Sequence, residues 1–177
     1  RRRAPIAAKI YAYLGGKSPL LEGTQAQARA LQNELDDLGA VKVFVSMRYW
    51  HPMCREVLGK VAAFRPDHIV LIPLYPQYSK TTSGSSLNEW EKIAESINFE
   101  VSTTAICCYL SEHSWIKAQT ELLAASITRV PNKSKLRILF SAHGLPKKVI
   151  TAGDPYQWQV EKTARAIVDR LNIANLD

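Results

Sequence analysis

Hydrophobic positions along the chain alternate between two periods. Ile6, Ile10 and Tyr13/Leu14 fall at helical spacing over residues 4–14, and Gly15 and Gly16 close that helix as a C-cap pair. Ser18-Pro19 reads as an extended or turn dipeptide. Thr24 opens a second helix with the stripe Ala28, Leu31, Leu35 and Leu38, stopped by Gly39. Residues 41–45 alternate and are rich in valine, which predicts a strand, and 47–52 break out of it. Val57, Val61 and Phe64 mark a third helix, ended by Arg65-Pro66-Asp67. Residues 69–74 are the most apolar run and predict a central strand, followed by a Ser/Thr/Gly-rich loop over 75–86. A helix over 87–97, a strand over 101–106 and a helix carrying Trp115, Ile116, Leu122, Leu123 and Ile127 come next. Leu136, Ile138, Leu139 and Phe140 predict a last buried strand. It breaks at Ser141-Ala142-His143-Gly144-Leu145-Pro146. Asp154 as N-cap and Pro155 at the first helical position then start an amphipathic helix with Val160, Ala164, Ile167, Val168 and Leu171.

Two helices followed by β-α-β-α-β-α-β-α predict an α/β fold: a parallel sheet with right-handed crossovers, flanked by helices on both faces, in a single domain over 1–177. In such a sheet the segments after the strands, 47–52, 74–86, 107–113 and 142–155, emerge on one edge. That edge collects Arg48, Tyr49, His51, Tyr75, Tyr78, Ser79, His113 and His143, and strand carboxyl ends are where ligands bind in these sheets. The opposite edge receives bland connections (39–40, 65–67, Asn98 and 131–132).

Composition narrows the chemistry. A hydrophobic content of 46% with mixed charge marks a globular chain, and no apolar run reaches the length of a membrane span. The net charge of +7 is scattered except at Arg1-Arg2-Arg3, so it suits anionic groups such as carboxylates or lipid headgroups and does not call for nucleic acid. Cys54, Cys107 and Cys108 show no zinc spacing, and adjacent cysteines are poor disulfide partners, which predicts buried thiols in a reducing compartment. The chain starts on arginine and directly on a helical pattern, as a piece of something longer would. Neither a nucleotide-binding glycine motif nor a G-x-S-x-G elbow is present, and Gly84-Ser85-Ser86 is a weak phosphate-turn signal.

Tyrosines beside hydroxyls and one arginine suit a flat apolar ligand with anionic arms: rings stack on tyrosine and Arg48 meets a carboxylate. Two readings of His143 stay open on these grounds, a turn cap or a group that accepts a proton or ligates a metal. His51 and His68 read as structural, and His113 as the cap of its helix, with a metal-route ligand the alternative.

Four phrases, GGKSPL at 15–20, MRYWHP at 47–52, LYPQYSKTTSGSS at 74–86, and SAHGLP followed by GDPY within 141–156, resemble in order and spacing the ferrochelatases, which insert ferrous iron into a porphyrin. The resemblance covers the whole chain but only the first part of the family's sequence. It implies one of the two similar halves of the chelatase-like fold, without the family's first strand and Gly-rich turn. By this resemblance His143 matches the proton acceptor, iron ligand, or both. Tyr11, Ser18, Arg48, Tyr49, Tyr75 and Tyr78 match or adjoin substrate-contacting positions. The partner glutamate belongs to the absent half. Lys80 stands where cluster-bearing relatives have a cysteine, which implies no [2Fe–2S] cluster and no permanently bound cofactor, iron being substrate. The implied partner is protoporphyrin IX or coproporphyrin III, in a cytoplasmic protein for which peripheral contact with the inner membrane stays open. A non-catalytic tetrapyrrole-binding module or haem carrier is the alternative.

Overall fold

A computed structural model describes residues 4–13, 15–131 and 136–173. Arg1–Arg3, Leu14 and Asn132 of the expectations above lie outside them. The chain divides into two compact units, Arg1–Arg65 and Pro66–Asp177.

In the first unit, α1 (Ala4–Ala12) ends where Gly15 and Gly16 both take φ of +82°, the left-handed region that glycine enters without a Cβ penalty. The second helix, α2 (Leu20–Leu35), starts four residues before the expected Thr24. Pro19 fits just ahead of a first turn, and Ser18 Oγ accepts the Leu20 N–H at 3.3 Å. Thr24 instead bonds back to the Leu20 carbonyl at 2.8 Å, as an interior threonine does. A 3-10 turn (Asp36–Leu38) follows.

The strand expected over 41–45 is absent. Alternation fits a strand only where a neighbouring strand supplies hydrogen bonds, and here a side chain does so: Gln32 Oε1 accepts from Val43 N at 2.8 Å while its Nε2 donates to the Val41 carbonyl at 3.1 Å. Phe44 packs edge-on against Phe64 at 6.0 Å, tying the segment to α3 (Cys54–Phe64). That helix buries Cys54, Val57, Leu58 and Val61, and full burial of Leu58 contributes roughly 2 kcal/mol.

The second unit holds the described sheet: β1 (His68–Leu71) and β2 (Ser102–Ala105), parallel, with His68 opposite Ser102 and Leu71 opposite Ala105. The fold class is α/β, as expected. Expected residues 69–74 shorten to β1, and the run is not buried on both faces: Val70, Ile72 and Leu74 are exposed while Ile69 is buried. Pro73 lacks an N–H to extend the ladder. On the exposed face His68 bonds Ser102 Oγ at 3.1 Å and Thr104 Oγ1 at 3.0 Å, the structural role expected of it, which pins the register. Against the other face lies α4 (Ser83–Ser96), whose Leu87, Trp90 and Ala94 line a cavity of about 510 Å³ with Leu71, Thr103 and Ala105.

Helix α5 (His113–Ile127) is capped by Glu112, not His113. The Glu112 carboxylate accepts the Trp115 N–H at 2.8 Å, and the backbone N–H groups of Trp115 and Ser114 hold its carboxyl below the usual range. This helix packs on α7 (Tyr156–Leu171), reached through the short α6 (Lys147–Thr151). The last expected strand is also missing: residues 136–146 pair with no strand, Leu139 is 85% exposed and Phe140 43%. An apolar run forms a strand only where an adjacent strand and a covering layer exist, and the described residues offer this one neither.

Candidate functional site

Because β1 and β2 run parallel, their carboxyl ends share one edge, and the loops leaving it are joined. Tyr109 N–H donates to the Pro76 carbonyl at 2.9 Å and the Tyr109 hydroxyl to the Pro73 carbonyl at 3.2 Å. Burial pushes that phenol up from its ordinary range.

The loop carrying Tyr75 and Tyr78 is fixed from below by α7. Tyr78 N–H donates to Gln159 Oε1 at 2.7 Å, and Gln77 Nε2 donates to Thr163 Oγ1 at 2.9 Å. Thr163 passes its own proton to the Leu110 carbonyl at 2.7 Å, so one hydroxyl ties both loops to one helix. Next to it Asp154, 4% exposed, accepts three bonds: Ser79 Oγ at 3.0 Å, Lys80 N at 2.8 Å and Tyr156 N at 3.0 Å. The last bond reaches the first turn of α7, but the helix begins one residue later than expected: Pro155 holds the cap position, Tyr156 is the first helical residue, and Asp154 stands one position ahead of the cap. Ser79 spends its proton on Asp154, so in its 2.8 Å contact with Thr81 the threonine hydroxyl is the donor.

Tyr78 is packed while Tyr75 is not. The Tyr78 hydroxyl lies against Gly84 in the first turn of α4, so close that a Cβ at residue 84 would stand 2.5 Å from it. Tyr75 is 55% exposed at the loop's outer side. Gly84→Ala therefore displaces the Tyr78 ring and costs about 1–3 kcal/mol. Tyr78→Phe in the same chain recovers part of that loss. A double-mutant cycle in urea reads the coupling; additive effects would contradict this packing.

In the first unit, Gly16 N–H bonds the Tyr11 carbonyl at 2.8 Å, so the turn between Tyr11 and Ser18 is tight, and both residues are exposed. Arg48 stacks on the Tyr49 ring with Cζ 4.6 Å from the centroid, and Tyr49 is 73% exposed. Their loop is closed by Met47 N–H to the Pro52 carbonyl at 2.9 Å, and the His51–Pro52 bond is cis. His51 is structural as expected, its Nδ1 2.8 Å from Glu56 Oε1 in the first turn of α3.

His143 is exposed, on the stretch leading to α6. Among the described residues no hydrogen bond links it to the Tyr75–Tyr78 loop. His113 is exposed at the start of α5. Two expectations about cysteine need correcting. Cys54 is buried, but Cys107 is exposed and Cys108 half-buried, because β2 stops at Ala105 and both thiols fall on the loop beyond it. Among the described residues no three His, Cys, Asp or Glu side chains gather as a metal cage, and no helix is long and apolar enough to cross a membrane.

The residues that sequence reasoning missed are Gln77, Gln159 and Thr163. One signal existed: Gln159, Thr163 and Ile167 lie four apart, and they, rather than Val160 and Ala164, form the buried stripe of α7. Polar residues on a buried helical stripe imply buried partners.

Comparison with known proteins decides what this loop set belongs to. A family model for ferrochelatase matches residues 1–177. The chain belongs to the ferrochelatase family. It is 46% identical over 179 residues to the ferrochelatase of Pelagibacter ubique, a match covering 99% of this chain and 51% of that protein. Against the Wolbachia sp. subsp. Drosophila simulans ferrochelatase the identity is 44%, covering 99% of this chain and 56% of the relative. For that of Caulobacter vibrioides it is 48%, covering 96% and 52%. The chain thus spans about half the length of these curated ferrochelatases.

Proposed function

We propose that this chain is the part of a ferrochelatase that receives the porphyrin and takes up its pyrrole protons. In the whole protein, ferrous iron is inserted into protoporphyrin IX or coproporphyrin III to give haem. What supports this reading most is the family match along the whole chain, together with an exposed imidazole at His143 in the SAHGLP phrase. Both compact units then belong to one α/β half of the protein.

The chemistry needs three things from the protein. A planar porphyrin keeps two N–H protons inside its ring, so the ring must be bent to turn nitrogen lone pairs outward, with the strain drawn from binding the rest of the ligand. Within the first unit Tyr11, Ser18 and Tyr49 are exposed and available for contact; within the second Tyr75 is, and Tyr78, held against Gly84, fixes the loop that presents it. A base must remove the protons as the metal enters: two N–H bonds break, those two nitrogens and the ring's two imine nitrogens bond the iron, and two protons leave. His143 is that base, or a ligand that hands iron to the ring, or both in sequence. The third requirement is a carboxylate partner, a glutamate outside this chain. Lys80 occupies the position where cluster-bearing relatives have cysteine, and the reading includes no [2Fe–2S] cluster. It places the protein in the cytoplasm, with a porphyrin as partner and no nucleic acid.

Arg48 tests the substrate side. Its guanidinium, braced on Tyr49, is suited to a porphyrin carboxylate, a charge-assisted pair worth about 1.5–3 kcal/mol. Arg48→Ala in the full-length protein raises the porphyrin KM roughly tenfold to a hundredfold while kcat changes little. The increase disappears with a porphyrin whose carboxylates are esterified. An equal increase for acid and ester would remove Arg48 from carboxylate recognition.

A further inference from the structure

Beyond the end of β2 two adjacent thiols face each other. Cys107 donates its S–H to Cys108 Sγ across 3.2 Å, with Cys107 exposed and Cys108 half-buried. Successive side chains on extended backbone point to opposite sides, so this convergence is a feature of the irregular loop that carries them. The loop is held at both ends. Ile106 N–H bonds the Leu71 carbonyl at 2.9 Å, and Tyr109 is tied to Pro76 and Pro73 as described.

We propose that Cys107 and Cys108 form a bidentate site for a thiophilic trivalent centre, of which trivalent arsenic is the representative. Thiols select soft centres over oxygen-seeking ones. Two sulfurs 3.2 Å apart, each roughly 2.3 Å from a shared centre, subtend an angle of roughly 90° there. That bite is narrow for tetrahedral zinc and suits a three-coordinate pyramid whose third substituent is its own. Zinc would also want further protein ligands, and among the described residues no third His, Cys, Asp or Glu completes a set. The exchange balances without redox change. Each sulfur–arsenic bond replaces an arsenic–oxygen bond, and each thiol proton leaves with the displaced hydroxyl as water.

Two other roles for the pair fit less well. A nucleophilic or peroxide-sensing cysteine needs a populated thiolate. Here the hydrogen bond to Cys108, with partial burial and the neighbouring thiol's charge, holds the Cys107 thiol above its ordinary range. A disulfide between neighbours in sequence would need Cα atoms further apart than one peptide unit allows in relaxed geometry. Chelation by exchange draws on neutral thiols and asks only that both reach one atom. The site lies at the strand edge, one residue from the Tyr109 bonds that steady the Pro73–Pro76 segment, yet it requires nothing of the porphyrin reading.

The test treats the full-length protein with phenylarsine oxide and maps the digest by mass. The peptide holding Cys107 and Cys108 gains one phenylarsenic(III) group. That adduct survives excess 2-mercaptoethanol and is removed by 2,3-dimercaptopropanol, the signature of two sulfurs on one arsenic. Cys107→Ser and Cys108→Ser each lower the monothiol-resistant adduct at least tenfold, and Cys54→Ser leaves it unchanged. An unmodified peptide in the wild-type protein, an adduct lost to monothiol, or one that persists in either serine variant would overturn the proposal. The wild-type measurement stands whether or not the variants fold.

Discussion

Replacing His143 by alanine in the full-length protein lowers the rate of metal insertion by roughly 10²–10⁴, the range a general base contributes. The far-UV spectrum and thermal midpoint stay close to wild type, because the side chain is exposed and its removal opens no cavity in the core. Porphyrin binding, read by fluorescence quenching, falls much less than turnover, since proton removal is needed only as iron enters the ring. The expected signature is therefore a loss in kcat with affinity largely kept. Anaerobic assays with ferrous iron, paired with porphyrin titrations of the same preparation, separate the two effects. Full activity in the alanine variant would take His143 out of the mechanism.

Asp154→Ala has the largest expected effect on stability, on the order of 3 kcal/mol. The carboxylate is 4% exposed and serves the Ser79 hydroxyl and the N–H groups of Lys80 and Tyr156. Hydrogen bonds to a charged acceptor are worth about 1.5–3 kcal/mol each, and removal leaves buried donors unpaired, though the losses do not simply add. Asp154→Asn keeps the size but gives up the charge and replaces one acceptor oxygen by a donor, so it falls between alanine and wild type. Urea unfolding measures both. The Tyr75–Tyr78 loop loosens at the same time, so porphyrin KM rises in Asp154→Asn even where the protein remains folded. An unchanged urea midpoint for the alanine variant would show that Asp154 is not the anchor of this loop.

Legibility from sequence followed where the determining interactions were local. The helical periods around Val57, Val61 and Ile116, Ile127 are set by neighbours a few residues away and took the expected form, whereas the strand around Ile69, which depends on pairing with residues 102–105, came out shorter and more exposed than expected. Residues 41–45 and 136–140 carry strand-like patterns but lack a pairing partner among the described residues. Gln32 supplies hydrogen bonds to the first, and the second leaves Leu139 in solvent. Helix starts shifted because the chemistry lay beside the expected residue: Ser18 before Leu20, Glu112 before His113. The candidate site residues are marked by motif phrases (Ser18, Arg48, Tyr49, Tyr75, Tyr78 and His143) or by a place beside one (Tyr11). Their support was not legible. Tyr78 to Gln159, Gln77 to Thr163 and Ser79 to Asp154 join residues 75 to 86 positions apart, and nothing near Tyr75 or Tyr78 distinguishes the exposed ring from the packed one.

The decisive measurement adds ferrous iron, without oxygen, to full-length protein mixed with excess protoporphyrin or coproporphyrin, and follows the visible spectrum. The free-base bands should give way to those of the metalloporphyrin over many turnovers, at a rate that collapses in His143→Ala. A spectrum that shifts on binding and then holds its free-base bands, with iron present, would mean a tetrapyrrole carrier and would contradict the catalytic reading.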